Sequence, residues 1–496
     1  ALKLSRELED WKTYSRWLTD LGNCYSRLGE QEKSIEYYEQ AIEITNKTGD
    51  IRRQGKCVGN LGITYSKLGM EKKAIESMTK AMNIARYLGD KGNESRWLGA
   101  LTYSFSNVGD MDNAIKYGKK ALKMAREISD KRREAACLGN LGNAYANSGS
   151  STRALKYLEE ALKISGEIGD KINVGRWLGS IGSIYSNLGK EDKAIEYLEN
   201  ALKVSKAISD KFNQNIWLGN LGYSYSNFGD QQKAIKSFEK ALNLAHILGD
   251  KKNEGKWHGS IGISYSRMWN QKLALKNFED ALKIAVETGD KNSQGRWYGN
   301  MGIAYSKLGK EIEAIKVTHR ALSITEETKD KNNHSRWLGS IVSPYSQMGL
   351  QSEALAFGFK ALDLAKDIHD RRREGGCLGN IGLVYSKSGD ETKALDFFLK
   401  ALEIADEIKD EVNKGRWLTH LPIIYFNLGD VGNALKVCQL GLQKTKKNED
   451  KFNYGKGLLS LGEIYYAINI SQAKFAKFLN DLKELALEID SDLLLC

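Results

Sequence analysis

Proline is almost absent from these 496 residues, standing only at Pro344 and Pro422. A chain so poor in the residue that removes a backbone donor and clashes with the preceding turn can run helical nearly throughout. Long apolar runs are lacking too: no stretch approaches the roughly 18 uninterrupted apolar residues of a membrane span, and no amino-terminal signal segment is visible. The six cysteines, Cys24, Cys57, Cys137, Cys377, Cys438 and Cys496, form no C-x-x-C pair. Catalytic signatures are missing as well, with no G-x-x-x-x-G-K-S/T loop, no H-E-x-x-H and no G-x-S-x-G. These absences exclude the familiar hydrolase and nucleotide-binding patterns, and the sequence calls for no cofactor and no metal.

What is present is repetition. Copies of one stretch, WLGSIGSIYSNLGKEDKAIEYLENALKVSKAISD from Trp177 to Asp210, recur every 40 residues without an insertion or deletion. Fixed-period similarity of this kind marks stacked units that cannot bury their apolar faces alone. Two helices are predicted within the stretch. The first carries Trp177, Leu178, Ile181, Ile184, Tyr185 and Leu188 at i, i+3, i+4, i+7 spacing, and the second carries Ala194, Ile195, Leu198, Ala201, Leu202 and Val204 in the same way. Gly189 stands where a left-handed residue would close the first helix, and Asp210 where the next helix needs an N-cap. Twelve copies start between Trp11 and Lys451, and each ends in Asp, from Asp50 to Asp490. Tyr recurs at one place in eleven of them, with Phe105 in the third, which predicts a core position.

The order Leu178, Ile181-Gly182, Tyr185, Ala194, Leu198, Ala201 resembles the tetratricopeptide (TPR) pattern, with six residues added to the usual 34-residue unit and its usual proline missing. The 40-residue period and the Leu138–Gly142 and Leu218–Gly222 phrases are similar to the long repeats of Pins-type spindle-orientation adaptors and to arrays in bacterial and archaeal signalling proteins. The resemblance implies an all-α fold, a right-handed superhelical solenoid of stacked antiparallel helix pairs, whose inner groove takes a protein or peptide.

The predicted organisation is residues 1–10 as the end of a truncated upstream repeat, 11–450 as eleven repeats, and 451–496 as a degenerate terminal repeat and cap. The opening ALKLSRELED matches the end of a second helix, and Leu2, Leu4 and Leu8 would be left uncovered, so a further segment upstream is expected. In the last copy Lys474 and Asp481 replace packing alanines, Gly457 and Leu459 depart from the usual tryptophan and glycine, and the tail 493–496 is apolar, as a cap would be.

Function must come from repeated residues that packing does not need. One stripe of the first helix reads Arg176, Gly179, Ser180, Ser183 and Asn187, and Arg96, Gly99, Tyr103 and Asn107 in the third copy. Its first member is Arg or Lys in nine of twelve copies, which predicts a row of cations on the inner face. The candidate partner-binding residues are Arg96, Tyr103, Asn140, Arg176, Asn220, Tyr223, Lys256, Arg296, Asn300, Arg336, Asn380 and Arg416, where Asn and Ser would bond an extended peptide or helix. Inherited solvated cations are the plain alternative. The glycine that runs from Gly59 to Gly379 in nine consecutive copies costs about 1 kcal/mol against alanine inside a helix. Close helix packing explains it better than an approaching ligand.

Eight tryptophans, Trp17, Trp97, Trp177, Trp217, Trp257, Trp297, Trp337 and Trp417, stand beside the cations. Stacking of nucleic-acid bases is one use for such a row. Replacement by Cys57, Cys137 and Cys377 favours burial between hairpins instead, with thiols as small hydrophobes in a reducing, cytoplasmic setting. The six histidines, His246, His258, His319, His334, His369 and His420, fall at unrelated repeat positions, so the period assembles no triad or metal site. The formal charge of +11 favours an anionic partner. Three functions remain: a non-enzymatic protein-recognition scaffold with a partner of acidic character; the sensor arm of a larger signalling or defence protein; and, as the alternative, a nucleic-acid binder using the cation row. No membrane association is expected.

Overall fold

The computed structural model describes residues 2–447, 451–468 and 480, all of whose regular elements are helices. Lys474, Asp481 and the 493–496 tail lie outside the described residues. Most of the described repeats fold as two helices of the same length joined by a three-residue turn, as in Lys171–Asn187 followed by Glu191–Ala207. The chain groups into two compact units, Ala1–Leu248 and Gly249–Cys496, divided at the joint between the sixth and seventh repeats. Within each unit the first helices of successive repeats pack on one another, as Gly139 of one does on Trp177 of the next.

The joints follow the predicted chemistry. Every Asp from Asp10 to Asp410 at the repeat boundary accepts the backbone N–H three residues on, as Asp210 does from Asn213 at 3.0 Å. In several joints the second carboxylate oxygen is taken by that residue's own amide, as in the 2.6 Å bond from Asn213 Nδ2. One of the four N–H groups orphaned at a helix start is thus met by the Asp, whose other oxygen fixes the same neighbour's side chain. Gly189 adopts φ 68°, the left-handed conformation that ends the first helix. Just before the Asp caps, however, Ser129, Ser209, Lys329, His369 and Lys409 take φ between 54° and 56° without being glycine. Since this conformation crowds Cβ by about 1 kcal/mol, Lys329→Gly is expected to raise the urea midpoint; an unchanged midpoint would show that the joint carries no strain.

Packing between repeats rests on one pairing of large with small. Within each unit, a first-helix tryptophan lies on the glycine 38 residues earlier. A Cβ placed on Gly59 would meet the Trp97 ring at 2.4 Å, one on Gly139 would meet Trp177 at 2.3 Å, and one on Gly299 would meet Trp337 at 2.3 Å. The pairing is compensated where it changes. Thr19 replaces glycine opposite Cys57, with Oγ1 and Sγ 3.1 Å apart, and Thr419 replaces it opposite Gly457. Where glycine is kept against cysteine, at Gly99 with Cys137, the gap is 3.7 Å and the two first helices close in more than any other such pair in their unit. The repeated glycine is therefore a packing requirement, and its place in the predicted inner stripe is corrected: Gly179 is covered by Trp217.

A second compensated pair lies inside the hairpins. Gly142 faces Leu158 and Gly262 faces Phe278, but Thr102 and Val342 face Gly118 and Gly358. The alanines on either side of this contact, such as Ala194 and Ala201, are completely buried. The recurrent tyrosine is not the enclosed core residue that its repetition predicts. Most copies are half-buried, and several stack on a second-helix ring, as Tyr185 does on Tyr197 at 5.5 Å, with Lys193 over the outer face at 5.4 Å.

The two prolines mark the two interrupted first helices. Pro344 cannot donate to Ser340, and the helix Lys331–Ser340 stops there before resuming as Val342–Gln347. Pro422 likewise separates Glu411–Leu418 from Leu421–Asn427. In that gap His420 is half-buried with its ring stacked on Phe398 at 5.9 Å, and desolvation pushes its pKa down to about 3.

Candidate functional site

The cation row stands on the first helices, one residue before seven of the eight recurrent tryptophans, Ile216 preceding Trp217. That adjacency turns each cation back over the buried ring: Arg96 lies 4.5 Å from the Trp97 centroid, Lys256 4.6 Å from Trp257, Arg336 4.7 Å from Trp337 and Arg416 4.6 Å from Trp417. Arg176 and Arg296 sit farther off, at 5.8 and 5.7 Å. The rings below are enclosed, from Trp177 at 0% to Trp217 at 5% exposure, whereas Trp17 in the first repeat is 38% exposed. A quadrupole under each charge holds the side chain in place while its outer side stays open to solvent.

Arg96, Arg176, Lys256, Arg296 and Arg336 are exposed, and Arg416 is half-buried. Surrounding protein still strips water from several of them. Desolvation lowers the pKa of Arg96, with Arg133 adding repulsion, and that of Lys256, with Arg296 and Lys252 adding to it. Arg336 is lowered by burial first, then by Arg373 and Arg296. Within the second unit, Lys252, Lys256, Arg296, Arg336 and Arg373 thus sense one another as like charges.

The predicted asparagines sit between repeats and are largely engaged there. Asn140 Nδ2 donates to the Gly99 carbonyl at 3.2 Å, Asn380 to that of Gly339 at 3.2 Å, and Asn220 to Ser183 Oγ at 3.0 Å. Asn300 is buried and accepts from Arg336 at 3.4 Å, and Asn60 accepts from Arg96 at 3.0 Å. These side chains orient the cations and clip neighbouring repeats together. Tyr103 is 57% exposed and opens onto solvent, while Tyr223 is half-buried, edge-on to Phe238 at 5.1 Å. The structure therefore brings Lys256, Arg296 and Arg336 near one another in the second unit and leaves Tyr223 and the asparagines in supporting positions.

Sequence reasoning missed a cleft of about 560 Å³ lined by Lys12, Asp50, Arg52, Arg53 and Lys56 in the first unit. Arg53 is tied down there, donating to the Lys12 carbonyl and, at 3.0 Å, to Ser15 Oγ. The signal was available in the basic residues that follow Asp50, but they read as ordinary joint charges.

The remaining titratable groups are structural. Burial pushes the Cys137 thiol up to about 11 and those of Cys377 and Cys438 to about 12, as expected of cysteines acting as small hydrophobes. Among the described residues no three His, Cys, Asp or Glu side chains gather as metal ligands, and no helix is long and apolar enough to cross a membrane. Asp90 is held below the usual carboxylate range, chiefly by the Asn93 backbone N–H, against burial and with help from the Asn93 amide, Arg52 and Lys56. Asp290 and Asp330 lie low as well, although burial, their largest single influence, opposes it. A carboxyl whose folded pKa is depressed stabilises the fold fully above its unfolded value and loses that contribution as pH falls through the folded value. The melting temperature is accordingly expected to drop below about pH 4. Melting curves that stay level down to pH 3 would contradict this reading of the caps.

Comparison with known proteins bears on the fold. The tetratricopeptide repeat matches at residues 103–167, 133–207 and 173–246, and a second description of the same repeat matches at 18–48, 56–87 and 376–407. No curated protein matches the chain. Among solved structures, a Rap protein complexed with competence and sporulation factor is 14% identical, covering 72% of this chain and 99% of that one, at a TM-score of 0.51. The apo quorum sensor NprR from B. thuringiensis is 16% identical over 65% of this chain and 91% of its own, at 0.50. A signal transduction ATPase with numerous domains and a tetratricopeptide repeat sensor, from Pyrococcus horikoshii, is 19% identical at 0.50; the match covers 68% of this chain and 50% of that protein. At such identities the likeness speaks for architecture. The compensated hairpins, the capped 40-residue joints and these matches lead to one conclusion: the chain carries tetratricopeptide repeats within a series of 40-residue helical hairpins.

Proposed function

We propose that the array is a protein-recognition scaffold whose first-helix face receives an acidic peptide or protein segment. The observation that carries this is the row of cations anchored over buried rings, above all Lys256, Arg296 and Arg336, which are mutually repulsive and solvent-facing. A negatively charged partner relieves that repulsion, and complementary charge sets partner choice and association rate. The sensor proteins of similar fold, one of them bound to a competence and sporulation factor, make a sensor arm of a larger signalling protein the natural setting. Nucleic acid is the weaker reading, because seven of the eight ladder tryptophans are enclosed and offer no face to a base.

The test is a titration of a labelled glutamate-rich peptide, and of a single-stranded oligonucleotide, at two salt concentrations. The peptide is expected to bind with the weaker salt dependence, since phosphate neutralisation gives a steep one. Arg176→Glu, Arg296→Glu and Arg336→Glu together are expected to abolish peptide binding with helicity unchanged. Undiminished affinity in the triple variant would remove this face from consideration, and tighter, steeply salt-dependent oligonucleotide binding would favour the alternative.

A further inference from the structure

Among the described residues, the turn that joins the two helices of a hairpin departs from its own pattern at one place. In ten repeats glycine takes the left-handed position of that turn, from Gly29 (φ 87°) to Gly429 (φ 85°); in the seventh the residue is Trp269, at φ 61°. A bulky side chain in this conformation is an outlier, and Trp269 holds it while 51% exposed. Strain held at an exposed aromatic residue points to use rather than support. The departure is not confined to one residue. Leu273 stands where Lys33, Lys73, Lys193, Lys233 and Lys393 stand elsewhere, and Ile312, 70% exposed, occupies a place otherwise taken by polar residues or glycine. Met268 and Leu308, also exposed, complete an apolar patch on the turn edge of the seventh and eighth repeats.

Cations ring this patch. Lys307 Nζ lies 4.8 Å from the Trp269 ring centroid, and Lys272 and Lys310 are exposed on the same edge, where Glu313 is the exposed acid. We infer that this edge is a second docking surface, separate from the first-helix face, and that it takes a protein segment in which apolar side chains are flanked by Asp or Glu. The apolar side chains cover Trp269, Leu273 and Ile312, and the acids meet the lysines around them. Tryptophan at the centre of a charged rim is the arrangement in which few residues carry most of the binding.

Three chains test this: the parent, Trp269→Gly, and Leu273→Lys with Ile312→Lys, each substitution restoring a residue type that other repeats carry. A random peptide library is selected on the parent. Peptides combining Asp or Glu with aromatic or aliphatic residues are expected to be enriched, and to bind about tenfold more weakly to either variant. Trp269→Gly is expected to melt at or above the parent temperature, because it relieves a strained backbone. Equal enrichment on all three chains, enrichment of peptides without acids, or a lowered melting temperature with lost helicity in Trp269→Gly would each overturn the inference. So would Trp269-dependent flotation with phosphatidylserine vesicles in place of peptide binding.

Discussion

Gly259→Thr is expected to destabilise this chain, and Trp297→Cys to cost about 1–3 kcal/mol less in that variant than it does in the parent. A Cβ on Gly259 would lie 2.0 Å from the Trp297 ring, so a threonine there forces two first helices apart. Overpacking of this kind costs about 1–3 kcal/mol and occasionally more. Trp297→Cys alone removes an enclosed side chain, where large-to-small changes of this size cost about 3–5 kcal/mol. The pair together reproduces Thr19 with Cys57, which the chain already uses with Oγ1 and Sγ 3.1 Å apart. Denaturant unfolding of the four chains of this cycle should therefore give a coupling of about 1–3 kcal/mol in favour of the double variant. Additive losses would mean that the two residues do not share a joint.

Trp177→Ala is the second large effect. Trp177 is fully buried against Gly139, so its truncation leaves a void at an inter-repeat joint and should cost about 3–5 kcal/mol. The contrast is Trp17→Ala: the residue is 38% exposed and sits in the first repeat, where the same change should lower the melting temperature far less. Because repeats touch only their neighbours, the loss at Trp177 should also localise, weakening hydrogen-exchange protection in the fourth and fifth repeats first. Equal losses at the two positions would mean that burial of the ring does not set its contribution.

Much of this architecture was legible in the sequence because period, caps and helix stripes all reinforce one another. Asp210 as a cap, Gly189 as a left-handed terminus and Ala201 as a packing position each follow from a local rule that the stack leaves untouched. Tertiary partners were not legible. Gly179 shares a helical stripe with Arg176, yet Trp217 from the following repeat covers it, a contact 38 residues distant that no local spacing announces. Asn140 and Asn220 likewise read as groove donors, but the neighbouring repeat brings the Gly99 carbonyl and Ser183 within reach of them. Pro344 and Pro422 read only as rare residues in a helical chain, although each interrupts a first helix. Trp269 was hidden for a different reason: counting tryptophans by repeat position sets aside the one that falls in a turn.

The cation row makes sense only if the tryptophans beneath it are closed off by the glycines of the preceding repeats. Hydroxyl-radical oxidation read by mass spectrometry reports all ten tryptophans in one experiment. Trp11, Trp17 and Trp269, which are 39%, 38% and 51% exposed, should be oxidised readily, while Trp97, Trp177, Trp257, Trp337 and Trp417 stay intact in the folded chain. Oxidation of those five at the rate of Trp269 would contradict the account.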